Sequence, residues 1–169
     1  HPDSLLYIHT DMFGAFGGWK LDHLLTAVGL TNDQVLFCDQ VQYRYGISQE
    51  ELAAVYTAMD VYLGISYGEG FGVGTIEAQA CGTPVIVSDF AASPELVGDG
   101  VAVPCQPLWD EAQKAWFAVP NIAATVDALE LRYNAPRQKS QRAIEFAEQY
   151  RAEAVYNKYW LPLLGKLLK

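Results

Sequence analysis

A glycine-rich stretch between two apolar segments is the feature of this sequence that most restricts its fold. Residues Gly68 to Gly82 read GEGFGVGTIEAQACG. The segments on either side, Asp60–Ser66 (DVYLGIS) and Pro84–Ser88 (PVIVS), each have the apolar character of a buried strand. A strand, a glycine turn, a short helix and a second strand form a βαβ unit, which directs ligands to the carboxyl ends of its strands. The sequence therefore predicts an α/β domain with a ligand site at residues 68–77.

This turn combines free backbone amides with two carboxylates, Glu69 and Glu77. The first amides of a helix lack partners within the helix and lie at the positive end of its dipole, so they bind phosphate or hydroxyl oxygens. Glycine allows the ligand to approach the backbone closely because no Cβ intervenes. A carboxylate can accept hydrogen bonds from both hydroxyls of a ribose. The combination favours a nucleotide-sugar over other common ligands.

The same block resembles family 4 of the retaining glycosyltransferases with the GT-B fold. Glu69 and Glu77 have the spacing of that family's E-x7-E motif, in the context EGFG followed by EAQACGTPVI. Other similar segments are Ser66 before the motif, Ala58–Leu63 (AMDVYL) and Ser93–Val97 (SPELV). The resemblance extends from about residue 3 to about residue 150, and its several ordered blocks supply the context that a motif needs.

The resemblance implies a fold and an activity. The fold is a Rossmann-like parallel sheet of about five or more strands flanked by helices, the C-terminal, donor-binding half of a GT-B fold. The intact parent is expected to be a hexosyltransferase-like enzyme that moves a sugar from an NDP-sugar to an acceptor with retention at the anomeric carbon. No metal and no cofactor besides the donor are expected. Residues 1–150 are expected to form the donor domain, and residues 151–169 a helical tail.

The resemblance also assigns roles to individual residues. Glu69 is expected to be catalytic and to contact the transferred sugar, and Glu77 is expected to hold the ribose hydroxyls. The other residues expected to bind the donor are Gly70, Phe71, Gly72 and Val73 at the turn, and Val41 and Tyr43 near the base. Two structural alternatives stay open: Glu77 could serve only to stabilise the helix dipole, and Tyr43 could simply cover a sheet edge.

Charge and its distribution limit the partners. The chain has 169 residues and a formal net charge of −9, which argues against nucleic acid, since Lys and Arg dominate that binding. Only Lys20, Arg44 and Lys114 precede residue 132. The family normally supplies an Arg and a Lys from an earlier strand and turn, whereas this chain opens with a segment resembling the family's next strand. We therefore expect a fragment without that strand and turn, without the acceptor-binding N-terminal half, and inactive on its own.

Cysteine usage and hydropathy indicate the compartment. Cys38, Cys81 and Cys105 have neither metal-binding nor disulfide-type spacing, which favours a reducing cytoplasm. No apolar run is long enough for a transmembrane helix, and no signal peptide is recognisable. The tail places Lys158, Lys166 and Lys169 beside leucines, a pattern compatible with a membrane surface but supported by nothing else.

Two other functions compete with the transferase. A dinucleotide-binding dehydrogenase domain also has a glycine-rich turn between a strand and a helix. However, its G-x-G-x-x-G fingerprint fails in every frame, because the third position is Val73, Thr75 or Glu77. The second alternative is a non-catalytic nucleotide-binding or interaction module derived from a transferase half. Donor binding and sugar transfer by the intact parent would distinguish it from an enzyme.

Periodicity predicts the remaining elements. The predicted strands are Leu5–His9, Val35–Cys38, Asp60–Ser66, Pro84–Ser88 and Gly100–Pro104. The predicted helices begin near Leu21, at the capping box Ser48-x-x-Glu51, after Asn121 with Ile122, Val126 and Leu129 on one face, at Pro136, and in the tail. Residues 39–46 are predicted as a loop, and residues 105–120 as a loop with one helical turn.

Overall fold

The computed structural model of the chain describes residues 1–15, 18–31 and 33–168. Lys169, one of the three tail lysines above, lies outside these ranges. The chain divides into two compact units, residues 1–52 and residues 53–169. The fold is mixed α/β: parallel strands occur in both units and helices flank them.

The first unit contains one pair of parallel strands. Strand β1 (Leu6–Ile8) pairs with β2 (Val35–Phe37), with Leu6 opposite Val35 and Ile8 opposite Phe37. Helix α1 (Leu21–Ala27) connects them, as the leucine spacing predicts. These three elements confirm the expected strand–helix–strand order at the start of the chain.

The segment after β2 is a helix, so the prediction of a loop over residues 39–46 was wrong. Helix α2 (Gln40–Tyr45) begins at Asp39, whose carboxylate accepts hydrogen bonds from the amides of Val41 and Gln42, both at 2.9 Å. This side-chain cap satisfies amides that the first turn leaves without partners. The helix ends at Gly46, whose positive φ of 89° suits glycine.

Helix α3 (Gln49–Ala58) runs from the first unit into the second and begins with the predicted capping box. The Glu51 amide donates to Ser48 Oγ at 3.1 Å, and the Ser48 amide donates to Glu51 Oε2 at 2.9 Å. The reciprocal bonds satisfy two backbone donors at once.

Three parallel strands form the sheet of the second unit. They are β3 (Tyr62–Gly64), β4 (Val85–Ser88) and β5 (Gly100–Val103), in the order β3-β4-β5. All four residues of β4 are buried, as expected for a central strand covered on both faces. The parallel strands of the chain are thus divided between two sheets, where the sequence predicted one sheet of about five or more strands.

Helices and one short turn complete the second unit. Helix α4 (Val73–Ala80) connects β3 to β4, and a 3-10 turn (Ser93–Leu96) follows β4. Helix α5 (Ile122–Tyr133) begins at Asn121, whose side chain accepts from the Ala124 amide at 2.9 Å, as predicted. Its predicted apolar face was wrong for Ile122 and Val126, which are 80% and 50% exposed, and right for Leu129, which packs against the core beside the buried Ala128.

The helix predicted to open at Pro136 begins later. Helix α6 spans Gln141–Glu148, and Ser140 caps it by accepting from the Ala143 amide at 3.0 Å. The tail is helical, as predicted: α7 (Ala152–Val155) continues through a π-helical turn (Tyr156–Trp160) into α8 (Leu161–Leu167). Within the described ranges, no helix combines the length and the apolar character needed to cross a membrane.

Residues 105–120 form a β-hairpin, where the sequence predicted a loop with a helical turn. Strand β6 (Cys105–Asp110) pairs antiparallel with β7 (Ala115–Pro120) over their full length. Trp109 and Trp116 are paired across the strands with ring centroids 5.3 Å apart in an edge-to-face arrangement. Such aromatic pairs stabilise antiparallel strands, and this one stabilises the hairpin. The prolines of the segment argue against strands when the sequence is considered alone.

Candidate functional site

The glycine-rich turn leads from the end of β3 into the first turn of α4. Gly72 is the residue that precedes the helix, and its φ of 94° places it in the left-handed region that favours glycine. No side chain caps this helix end. The Thr75 amide donates to the Gly72 carbonyl at 3.0 Å, so the amides left to solvent or to a ligand are those of Val73 and Gly74, with the positive end of the helix dipole behind them.

Six of the predicted site residues lie together on this turn and helix in the second unit. Their exposure differs: Glu69 and Gly70 are exposed, Phe71 is 44% and Val73 58% exposed, and Gly72 and Glu77 are half-buried. Glu77 lies beyond the first turn of α4, which contains no acidic residue. Because the dipole effect falls off within that turn, the interpretation of Glu77 as a dipole-stabilising residue loses its support.

The other two predicted residues, Val41 and Tyr43, lie on α2 in the first unit. Val41 is 64% exposed, and Tyr43 is half-buried with its ring edge-to-face against His9 at 5.7 Å. His9 follows strand β1, and its Nδ1 lies 2.9 Å from the hydroxyl of Tyr7. The first unit thus presents a small cluster of rings where its strands end.

Two tyrosines lie against the motif, and sequence analysis gave neither of them a role in the site. Tyr56, on α3, donates a hydrogen bond from its hydroxyl to Glu77 Oε2 at 3.0 Å. Tyr62, on β3, packs edge-to-face against Tyr56 with ring centroids 5.9 Å apart. Tyr56 is a buried residue of the core, and its phenol oxygen connects that core to the motif.

The pKa values of both phenols are displaced upward. Burial raises the pKa of the Tyr56 hydroxyl most, and the charge of Glu77 and the hydrogen bond to it raise it further. For Tyr62, burial again raises the pKa, followed by the negative charges of Glu69 and Glu77. Both hydroxyls therefore stay protonated across the physiological range, and that of Tyr56 acts as a hydrogen-bond donor to Glu77.

Gly74 makes room for these hydroxyls. A Cβ added to Gly74 would lie 2.6 Å from the Tyr62 hydroxyl and 3.2 Å from the Tyr56 hydroxyl. Both distances are below ordinary van der Waals contact, so any larger residue at this position would displace the phenols. Glycine is therefore needed at position 74 because the two phenol rings pack directly beneath the helix.

Ser66, between β3 and the turn, has a buried hydroxyl with no hydrogen-bond partner, the one such buried side-chain atom in the part of the chain that the structure describes. Its backbone carbonyl accepts a hydrogen bond from Ser88 Oγ at 2.6 Å. That bond joins the end of β3 to the end of β4. Buried polar atoms without a partner are uncommon in folded proteins. This one lies between the end of β3 and the turn.

The turn is supported from two sides. On one side, the Ala118 amide of β7 donates to the Tyr67 carbonyl at 2.9 Å, and Gly68 lies against the rings of Phe90 and Phe117. On the other side, Phe71 packs edge-to-face on Tyr150, with centroids 5.7 Å apart. The hairpin that sequence analysis missed is therefore one of the supports of the turn.

The groups at the turn are backbone amides and carboxylates. They suit the hydroxyl and phosphate groups of a ligand better than a metal ion. Across residues 1–15, 18–31 and 33–168, no group of three or more His, Cys, Asp or Glu side chains is arranged to hold a metal ion. Backbone amides at an uncapped helix end bind anions, and a half-buried carboxylate binds hydroxyl donors. The geometry is compatible with the phosphates and ribose of a nucleotide.

Comparison with known proteins gives consistent results. The family model "Glycosyl transferases group 1" matches residues 32–150. A D-inositol 3-phosphate glycosyltransferase of Mycobacterium marinum is 36% identical over 121 residues, covering 70% of this chain and 24% of that protein. The protein of the same name from Mycolicibacterium smegmatis is 41% identical over 70 residues, covering 41% of this chain and 16% of that protein.

Two solved structures share the fold. The chain superposes on one described as "Crystal structure of GtfA/B complex" with a TM-score of 0.68 and 23% identity, covering 98% of this chain and 30% of the other. It superposes on sucrose-phosphate synthase from Thermosynechococcus elongatus with a TM-score of 0.64 and 23% identity, covering 96% and 38% respectively. The chain thus corresponds to well under half the length of these relatives and structures.

Proposed function

Since the chain belongs to the group 1 family of glycosyltransferases, we propose that it is the donor-binding part of a retaining enzyme that transfers a sugar from an NDP-sugar. The observation that carries the proposal is the juxtaposition of the uncapped α4 N-terminus with Glu77, held by a hydrogen bond from Tyr56. The family membership favours this function over the dinucleotide-binding dehydrogenase. The free cysteines agree with a reducing cytoplasm as its location.

The phosphates and the sugar are assigned to the turn, the ribose to α4 and the base to α2. The amides of Gly70, Phe71, Gly72 and Val73 receive the phosphates at the positive end of the α4 dipole. Glu77 accepts the ribose hydroxyls. The exposed carboxylate of Glu69 lies on the turn beside those amides and contacts the transferred sugar. Val41 and Tyr43 are assigned to the base, as the resemblance implies.

This assignment explains how the site would accelerate transfer. Breaking the sugar–phosphate bond develops negative charge on the leaving diphosphate and positive charge on the sugar ring. Preorganised amide donors stabilise the first, and the carboxylate of Glu69 stabilises the second. Neither contribution uses a metal ion or a further cofactor.

Donor binding can be tested on the chain itself by titration calorimetry with UDP, GDP, ADP and their sugars. Glu77→Ala should weaken the best nucleoside diphosphate about tenfold or more, since hydrogen bonds to a charged acceptor contribute about 1.5–3 kcal/mol. Glu50→Ala is the matched control, because Glu50 is an exposed glutamate in the first turn of a helix. If Glu77→Ala binds the nucleotide with unchanged affinity, the assignment of Glu77 to the ribose hydroxyls is wrong.

Transfer requires the intact parent, in which the resemblance assigns acceptor binding to the N-terminal half. There, Glu69→Gln should lower the transfer rate more than the affinity for the nucleoside diphosphate, because Glu69 is assigned to the sugar. An equal loss in transfer rate and in nucleoside diphosphate affinity would indicate that Glu69 contacts the nucleotide instead of the sugar. Tight donor binding by a parent that transfers no sugar would instead support the non-catalytic module.

A further inference from the structure

The contact between Tyr56 and Glu77 engages one oxygen of the carboxylate. The Tyr56 hydroxyl donates to Oε2 of Glu77 at 3.0 Å. A carboxylate presents about four lone-pair positions, and the other oxygen, Oε1, keeps two of them. The hydrogen bond therefore restrains the rotation of the carboxylate plane and leaves both positions of Oε1 to a ligand.

Tyr56 is itself held rigidly. Its side chain is 9% exposed, and its backbone carbonyl accepts a hydrogen bond from Thr83 Oγ1 at 2.7 Å. The ring of Tyr62 packs against it edge-to-face, and Gly74 leaves the space in which the two hydroxyls lie. A ring so constrained holds its hydroxyl oxygen in one place relative to Glu77.

The hydroxyl is not needed to fill the core. A phenylalanine ring would bury nearly the same apolar surface, whereas a buried hydroxyl must be compensated by a partner. Here that partner is a carboxylate of the motif. The pairing therefore indicates that the Tyr56 hydroxyl serves to orient the carboxylate of Glu77.

We propose that Tyr56 is a positioning residue, which holds Glu77 so that Oε1 faces the ribose and thereby makes the site selective for a ribonucleotide over its deoxy analogues. The inference rests on the proposed donor-binding function and refines it. Glu77 touches the nucleotide, and Tyr56 acts through Glu77.

The test measures the affinity of the chain for ribose and deoxyribose forms of one nucleotide. The probes are UDP, GDP or ADP, whichever binds tightest, and its 2′-deoxy and 3′-deoxy forms. In the native chain we expect the ribose form to bind about tenfold tighter than either deoxy form, the value of one hydrogen bond to a charged group. Tyr56→Phe should reduce that preference at least about threefold and leave the affinity of the deoxy forms within about twofold.

Two further variants separate positioning from folding. Tyr156→Phe removes the hydroxyl of a tyrosine that is 48% exposed in the tail, and it should change neither affinity nor preference. In a Glu77→Ala background, Tyr56→Phe should have no additional effect, because the residue through which it acts is gone. Non-additivity of this kind would not arise from general destabilisation.

Each outcome has a defined meaning. An unchanged ribose preference in Tyr56→Phe would overturn the inference alone, and so would an equal loss for ribose and deoxyribose forms, which indicates a structural role. Binding by the native chain without any ribose preference would overturn the ribose assignment of Glu77. Absence of nucleotide binding by the native chain would overturn the proposed function and the inference together.

Discussion

Replacement of Gln79 by methionine should destabilise the second unit. Gln79 lies on α4 and is fully buried. Its Nε2 donates to the carbonyls of Thr75 at 2.9 Å and Leu96 at 2.7 Å, and its Oε1 accepts from the amides of Gly98 at 2.7 Å and Asp99 at 3.1 Å. The side chain thus satisfies three backbone groups of the segment that leads into β5.

The size of the effect follows from these contacts. Methionine has nearly the same volume as glutamine, so that the substitution leaves no cavity and removes only the polar contacts. Three backbone groups of residues 96–99 lose their partner, at about 1 kcal/mol each or more where water cannot reach them. The expected loss of about 3 kcal/mol corresponds to a fall in Tm of about 10 °C for a chain of this size.

The measurement is thermal unfolding by circular dichroism, with hydrogen exchange at β4 and β5 to assign the transition to the second unit. Gln141→Met is the control, because Gln141 is exposed on α6 and its side chain donates to another exposed side chain, that of Glu145, at 3.2 Å. It should shift Tm by no more than about 2 °C. A similarly small shift in Gln79→Met would refute the reasoning that these backbone groups depend on the Gln79 amide.

The remaining predictions concern pH and the glycines of the turn. Burial raises the pKa of the Asp99 carboxyl, but hydrogen bonds from Ser140 and Arg132 outweigh it, so the pKa lies below the ordinary 3.8. The unfolded state therefore takes up the proton first: the stability that Asp99 contributes is complete above pH 3.8, and acidification below that value removes it. In urea titrations, the difference between native chain and Asp99→Asn should be constant from neutral pH to that point and then shrink; a difference that grows with acid would contradict the sign. Gly74→Ala should lower stability by about 1–3 kcal/mol by crowding the two tyrosine hydroxyls, whereas Gly70→Ala, in open space, should lower nucleotide affinity with little change in Tm.

The sequence identified the three parallel strands of the second unit because each is a short apolar run with a glycine or proline at or next to one end. Val85–Ser88 illustrates this, since every residue of that strand is buried and the run shows no alternation. The sequence missed the hairpin at residues 105–120 because two of its stabilising features, the Trp109–Trp116 pair and the register, are relations between strands. A proline at position 107 also argues locally against a strand.

The sequence predicted the position of the glycine-rich turn but not the residues that support it. The spacing of Glu69 and Glu77 and the glycines between them identified the turn, and the structure places that turn at an uncapped helix end. In the sequence, Tyr56 follows Leu52 and Val55 at helical spacing, which indicates burial. Periodicity gives the face on which a side chain lies, but the direction of a phenol oxygen depends on a partner from another element.

The glycines of the turn are needed for different physical reasons. Some are explained by the fold, and one is not. Gly72 has a positive φ that suits the helix start, and Gly74 gives space to two phenols packed beneath the helix. Gly70 has no atom within 4 Å of the position a Cβ would take and lies exposed between the two residues that the proposal assigns to sugar and phosphate, Glu69 and Phe71. Neither packing nor an unusual φ accounts for glycine at position 70. The close approach of a ligand to the backbone, which the proposed function requires, would account for it, and the affinity of Gly70→Ala for the nucleotide tests this.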